Sequence, residues 1–160
     1  MRFSFSLGLI AALAACSLAP ERPAEAPALA PEYANYNAPL YPNETEELRA
    51  LIVRYAAEYE IPVSLLQRVI IRESTHRPSA RNGPYWGLMQ ILPQTARGMG
   101  FDGPTEQLLD AETNLKYAGK YLRGAWLVSG GNEDAAVMWY ARGYYYEAKR
   151  LGLLEETGLR

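Results

Sequence analysis

The chain of 160 residues has little of several things: one cysteine, one histidine, three phenylalanines and almost no charge imbalance, with 16 Lys and Arg against 18 Asp and Glu. A single thiol, Cys16, cannot close an internal disulfide. One histidine, His76, offers no cluster of ligands at metal-binding spacing, so no metal site is expected, and His76 reads as a simple loop residue. A formal net charge of −2 gives no electrostatic reason for a nucleic-acid partner. The most telling scarcity is local. Between Ile61 and Phe101, Glu73 is the sole acidic residue.

What is present suffices for one folded domain, with 49% hydrophobic and 21% charged residues. The 12 tyrosines and 3 tryptophans stand out, many of them late in the chain at Trp126, Trp139, Tyr140, Tyr144, Tyr145 and Tyr146. Aromatic rings with a hydroxyl or indole donor suit sugar faces, and they equally suit an ordinary core.

Residues 1–15 read as a targeting segment. Arg2 precedes an apolar run from Phe3 to Ala15, too short to span a bilayer as a helix. The run ends in Leu13-Ala14-Ala15-Cys16, which resembles the lipobox of bacterial lipoproteins and implies cleavage before Cys16 with lipid attached to its sulfur. An ordinary signal peptide cleaved nearby is the alternative. Ser17 stands where an Asp is associated with inner-membrane retention, so the periplasmic face of the outer membrane is favoured over the inner membrane. Residues 16–43, with six prolines after the cysteine, read as a semi-extended tether, 44–152 as the folded domain and 153–160 as a tail.

The domain is helical in pattern. Asn43 with Glu46 suggests a capping box before Leu48, Leu51, Ile52, Tyr55 and Tyr59 at helical spacing. Ile61-Pro62 separates this helix from one ending near Thr75. Arg77 to Pro84 is a loop with room for a short hairpin. Gly87 to Ile91 suggests a short helix, Pro93 the first turn of another, and Asp110 the cap of a long one reaching Val128. A further helix starts at Glu133 and breaks at Gly143, with continuation toward Arg150.

Glu73 closes an apolar stripe, because Ile70, Val69 and Leu66 lie three, four and seven residues before it. Burial and the negative end of the helix dipole both raise a carboxyl pKa, as a general acid requires. A solvent-facing carboxylate paired with Arg72 or Arg77 is the plainer reading.

Three ordered blocks then carry a resemblance: Glu73-Ser74 with Pro78, Ala80, Gly87-Leu88-Met89-Gln90-Ile91, Pro93 and Thr95-Ala96; Asn114-Leu115 with Gly119, Tyr121 and Leu122; and Tyr140-Ala141-Arg142-Gly143. Together they resemble the lytic transglycosylase catalytic domain from about Glu47 to Lys149. The resemblance implies a mostly α, goose-lysozyme-like fold with a catalytic groove. It implies cleavage of the MurNAc-β-1,4-GlcNAc bond of peptidoglycan without water, leaving a 1,6-anhydro-MurNAc end and needing no metal or organic cofactor.

Glu73 is expected to act as acid and then base. Glycosidases ordinarily need two carboxylates; here the sugar's own 6-hydroxyl would be the nucleophile. Tyr140 would orient the Glu73 carboxyl. Ser74 would support the acid, Gln90 would reach sugar acetamido or hydroxyl groups, Met89 would floor the groove beside Gly87, and Tyr85 and Trp86 would stack on sugar. The partners implied are glycan strands and, through Cys16, a membrane; a monomer is expected.

The chain departs from the family pattern in three places. Ala141 replaces the Asn of the Tyr-Asn-Ala-Gly motif, the loop before Gly87 is one residue shorter, and Asn82 stands where many members have Ser. Asn82 could still donate to an acetamido carbonyl. A catalytically impaired peptidoglycan-binding lipoprotein and a lysozyme-like hydrolase are the competing functions.

Overall fold

The computed structural model describes residues 31–160. The targeting segment, Cys16 and most of the proposed tether lie outside those residues. In chain order the described part contains α1 (Pro31–Ala34), α2 (Glu46–Glu58), α3 (Val63–Ser74), the strands β1 (Arg81–Asn82) and β2 (Tyr85–Trp86), α4 (Pro93–Gly98), a 3-10 turn (Thr105–Leu109), α5 (Ala111–Val128), α6 (Glu133–Arg142) and α7 (Tyr145–Leu151). The fold is mostly helical, as the sequence pattern implies, and lysozyme-like, as the family resemblance implies.

α5 is the central element, packing on α2, α4, α6 and α7. Asp110 caps it by accepting from the Thr113 amide at 2.8 Å. Its inward side, Leu115, Ala118, Leu122 and Ala125, is fully buried. Gly124 admits Tyr144 at close range, since a Cβ there would lie 2.2 Å from the Tyr144 hydroxyl. That hydroxyl donates to the Tyr121 carbonyl at 2.8 Å, so the approach also satisfies a buried polar group.

α3 follows from a stripe of Leu65, Leu66, Val69 and Ile70, all buried. It ends because Thr75 adopts the left-handed conformation, with φ of 52°. α6 is held alongside α3 at its start, where Arg68 pairs with Glu133 at 3.1 Å and Asp134 at 2.6 Å, and Ser64 donates to Glu133 at 2.7 Å. Exposed ion pairs contribute little individually. Their effect is registration: the helix bearing Glu73 is fixed against the helix bearing Tyr140.

Several local expectations change. The α2 cap is Thr45, whose hydroxyl accepts from the Leu48 amide at 3.2 Å. Asn43 instead adopts φ of 64° and donates its side-chain amide to the Thr75 carbonyl at 2.9 Å. Gly87 to Ile91 is a turn rather than a helix. Gly87 at φ 75° and Gln90 at φ 49° are both outside the helical region, and reciprocal bonds between Trp86 and Ile91 at 3.0 and 3.1 Å close it.

The folded part also reaches beyond residues 44–152. Tyr33 and Tyr36 pack against the core, and Arg49 donates to the Ala38 and Pro39 carbonyls at 2.7 and 3.0 Å. At the other end Leu153, Leu154 and Leu159 pack on the core, and the buried Thr157 hydroxyl donates to Leu153 at 2.7 Å.

Candidate active site

Glu73 sits on the last turn of α3, its side chain 23% exposed, mostly withdrawn from water yet open on one side. Arg72 Nε lies 3.5 Å from its carboxyl, a loose contact made by a half-exposed guanidinium. Arg77, the other sequence candidate for a partner, turns its Nε to the Ser74 carbonyl at 2.9 Å. Burial raises the Glu73 pKa above the ordinary carboxyl value, and Arg72 only partly opposes it.

Tyr140 comes from α6; burial, and after it the nearby charge of Glu73, holds its phenol well above its usual pKa. Its hydroxyl donates to the Met89 carbonyl at 2.8 Å. Its proton is given to Met89, and the oxygen lone pairs remain to accept from a protonated Glu73.

An open cleft of about 200 Å³ runs beside Tyr140, lined also by Tyr85, Gln90, Thr95, Tyr121 and Arg142. Its lining contains no carboxylate. Tyr85 is 43% exposed on β2 and presents a ring to the cleft. Gln90 directs its side-chain nitrogen to the Ala80 and Gly87 carbonyls at 3.1 and 2.8 Å. Two carbonyl acceptors fix that end as nitrogen, leaving Oε1 as the atom a ligand could use. Gln90 is thus held in a turn, not projected from a helix.

Other expected contacts become supports. Ser74 is buried, and its hydroxyl donates to the Leu88 carbonyl at 2.6 Å, joining the end of α3 to the Gly87–Gln90 turn. Met89 is wholly buried, so the site receives its carbonyl rather than its side chain. Trp86 is only 8% exposed, with the Arg81 guanidinium 3.9 Å from its ring, which removes it as a stacking platform. Gly87 is packed so closely that a Cβ would lie 2.0 Å from the Leu108 carbonyl oxygen. Asn82, paired with Tyr85 across the hairpin, is exposed.

Two residues gain roles that the sequence reading did not assign. Asn114, buried on α5, accepts from the Met89 amide at 2.9 Å and donates to the Trp86 and Leu108 carbonyls at 2.9 and 2.8 Å. It bolts the turn that presents Gln90 and the Met89 carbonyl. An Asn inside an otherwise apolar helical stripe was the available signal. Arg142 lines the cleft without a carboxylate partner among the described residues, its guanidinium resting 3.6 Å from the Met138 sulfur.

Comparison with known proteins identifies the family. Residues 50–152, well over half of the chain, match the family described as Transglycosylase SLT domain. No curated protein and no solved structure matches the chain. The match takes in Glu73, the Gly87–Gln90 turn and Tyr140, and it carries a lytic-transglycosylase type of activity with peptidoglycan as the substrate class. The chain belongs to the transglycosylase SLT domain family.

Proposed function

We propose that the protein cleaves the MurNAc-β-1,4-GlcNAc bond non-hydrolytically, with Glu73 as the one acid–base group. Supporting this reading is a largely buried carboxyl of raised pKa, only loosely contacted by Arg72 and close enough to influence Tyr140 on the wall of a cleft whose lining holds no carboxylate. Glu73 in its protonated form gives its proton to the glycosidic oxygen as the C1–O bond breaks. The resulting carboxylate takes the proton from the MurNAc 6-hydroxyl, whose oxygen bonds to C1 and closes the anhydro ring. Glu73 ends protonated, and no water is consumed. A nucleophile within the same sugar has a high effective concentration.

Tyr140 steadies the acid by accepting from it. Tyr85 and the Gln90 oxygen face the sugars, and Arg142 is suited to carboxylates of the peptide stems. Mass spectrometry of fragments from purified sacculi tests the chemistry. Anhydro-MurNAc ends are expected; reducing MurNAc ends would mark a hydrolase. Ala141, exposed on the cleft wall, offers no side-chain hydrogen bond, which favours the second reading of a binding protein with impaired turnover. Sacculus binding without any cleavage would establish it.

The Leu13-Ala14-Ala15-Cys16 sequence supports a lipid anchor at Cys16 that places the domain at the periplasmic face of the outer membrane. Fatty-acid labelling abolished by Cys16→Ser, with release of the protein from membranes, is the expected result. Unlabelled wild type would refute it.

A further inference from the structure

We propose that the strap of residues 36–44, which precedes the family-matched segment, is a positioning element for Glu73: it clamps the turn at Thr75–His76 and so fixes the end of α3. The inference rests on the assignment of Glu73 as the acid. Thr75 and His76 have φ of 52° and 57°, two consecutive left-handed residues that carry a Cβ. Such a turn is unfavourable by itself and persists where its surroundings hold it.

Three strap residues hold it. Asn43 donates to the Thr75 carbonyl at 2.9 Å, and its own φ of 64° is one that Asn tolerates. The Tyr41 ring stacks on the His76 imidazole, with centroids 5.3 Å apart and planes within 8°. Glu44 accepts from the Gln67 side-chain nitrogen at 2.8 Å, and Gln67 Oε1 lies 2.6 Å from His76 Nε2. Because Gln67 gives its N–H to Glu44, its oxygen accepts from His76 Nε2–H, which sets the tautomer. The strap is itself pinned. Arg49 binds both Glu44 oxygens, at 2.7 and 2.6 Å, and donates to the Ala38 and Pro39 carbonyls.

From the opposite side Ser74 holds the same backbone to Leu88. The end of α3 is therefore gripped between strap and turn, with Glu73 immediately before the gripped residues. Release of the strap lets the last helical turn fray, hydrating Glu73 and blurring its position relative to Tyr140. The charged and titratable groups facing Glu73 are Arg72 on its own helix and Tyr140 on α6. Neither belongs to the strap, so strap substitutions reach Glu73 through the backbone.

The test follows the Glu73 carboxyl by carbon-13 NMR titration in the full chain, together with kcat and KM on soluble glycan strands. Asn43→Gly removes the donor while glycine keeps the positive φ; Tyr41→Ala removes the stack; Tyr41→Phe retains it. The first two are expected to lower the Glu73 pKa toward that of free glutamate and cut kcat about three- to tenfold, with KM within about twofold. Tyr41→Phe should behave as wild type. An unchanged Glu73 titration and kcat in Asn43→Gly, with only the melting temperature lowered, would overturn the proposal. The titration needs no turnover, so a wild type that fails to cleave would refute the enzyme reading while the clamp is still measured.

Discussion

The Tyr140 hydroxyl donates to the Met89 carbonyl at 2.8 Å, joining α6 to the turn that follows the acid-bearing helix. With its proton committed to Met89, the phenol is left only its oxygen lone pairs with which to meet a protonated Glu73 in the proposed reaction. Tyr140→Phe removes both the link and the acceptor. Loss of one such hydrogen bond costs about 1 kcal/mol, and the unpaired Met89 carbonyl adds to it. We expect a melting temperature lower by several degrees and a cleavage rate down by roughly tenfold. Calorimetry and fragment release measure the two effects; an unchanged rate would reduce Tyr140 to packing.

The raised pKa of Glu73 has a definite sign in the pH–rate profile. The acid must be protonated to break the bond, so the rate should hold through the range of an ordinary carboxyl and fall as pH rises through the Glu73 pKa. The cause is desolvation, with Arg72 as the opposing charge. Arg72→Gln should therefore move the falling limb to higher pH. Initial rates of fragment release from pH 4 to 9 (a span of about five units around the reference values) measure it. A limb at the ordinary glutamate value would contradict the assignment.

Glu44 and His76 make the strap sensitive to acid. Burial opposes ionisation of Glu44, but bonds from Arg49, the Tyr41 amide and Gln67 outweigh it and lower its pKa to about 2. Burial lowers the His76 pKa below 6.5, with Glu44 opposing and Arg49 assisting. Both folded values lie below the unfolded ones, so each group contributes stability that is complete above its unfolded pKa and lost as pH falls through the folded value. The melting temperature should drop first below about pH 6.5 and again between about 4.5 and 2. His76→Gln should abolish the first step and leave the second; a melting temperature flat across both windows would contradict this.

Arg142 predicts a dependence on substrate charge. If its guanidinium meets stem carboxylates, Arg142→Ala should slow cleavage of intact sacculi several-fold, the effect of losing a charge-assisted bond worth about 1 kcal/mol. Strands stripped of peptide by an amidase should be cleaved at the wild-type rate. Equal losses on both substrates would assign Arg142 to the glycan instead.

The helices were readable because their signals are local. Asp110, Pro93 and Asn132 mark starts, and the apolar period sets the buried face of α3. Glu73 stood out for the same reason, as the last member of that stripe. The site's supports were not readable, because each depends on a distant partner. The Gly87–Gln90 turn is held by Asn114, 25 residues beyond Met89, so its sequence mimicked a short helix. Trp86 looked like a sugar platform until Arg81 and the core covered it. His76 passed as a loop residue because its partners, Tyr41, Glu44 and Gln67, come from the strap and from α3. The proline-rich composition of the strap concealed the contacts made by Tyr36, Tyr41 and Asn43.

The proposed reaction has the Glu73 carboxyl supply and then recover the proton. Its most direct test is a digest of purified sacculi with wild type and Glu73→Gln side by side, counting anhydro-MurNAc ends formed per unit time. Glutamine keeps the size and packing of the side chain and cannot give that proton. Wild type should produce anhydro ends, and the variant should fold, bind and produce at least about a hundredfold fewer. Anhydro ends formed by Glu73→Gln at a rate near that of wild type would contradict the account.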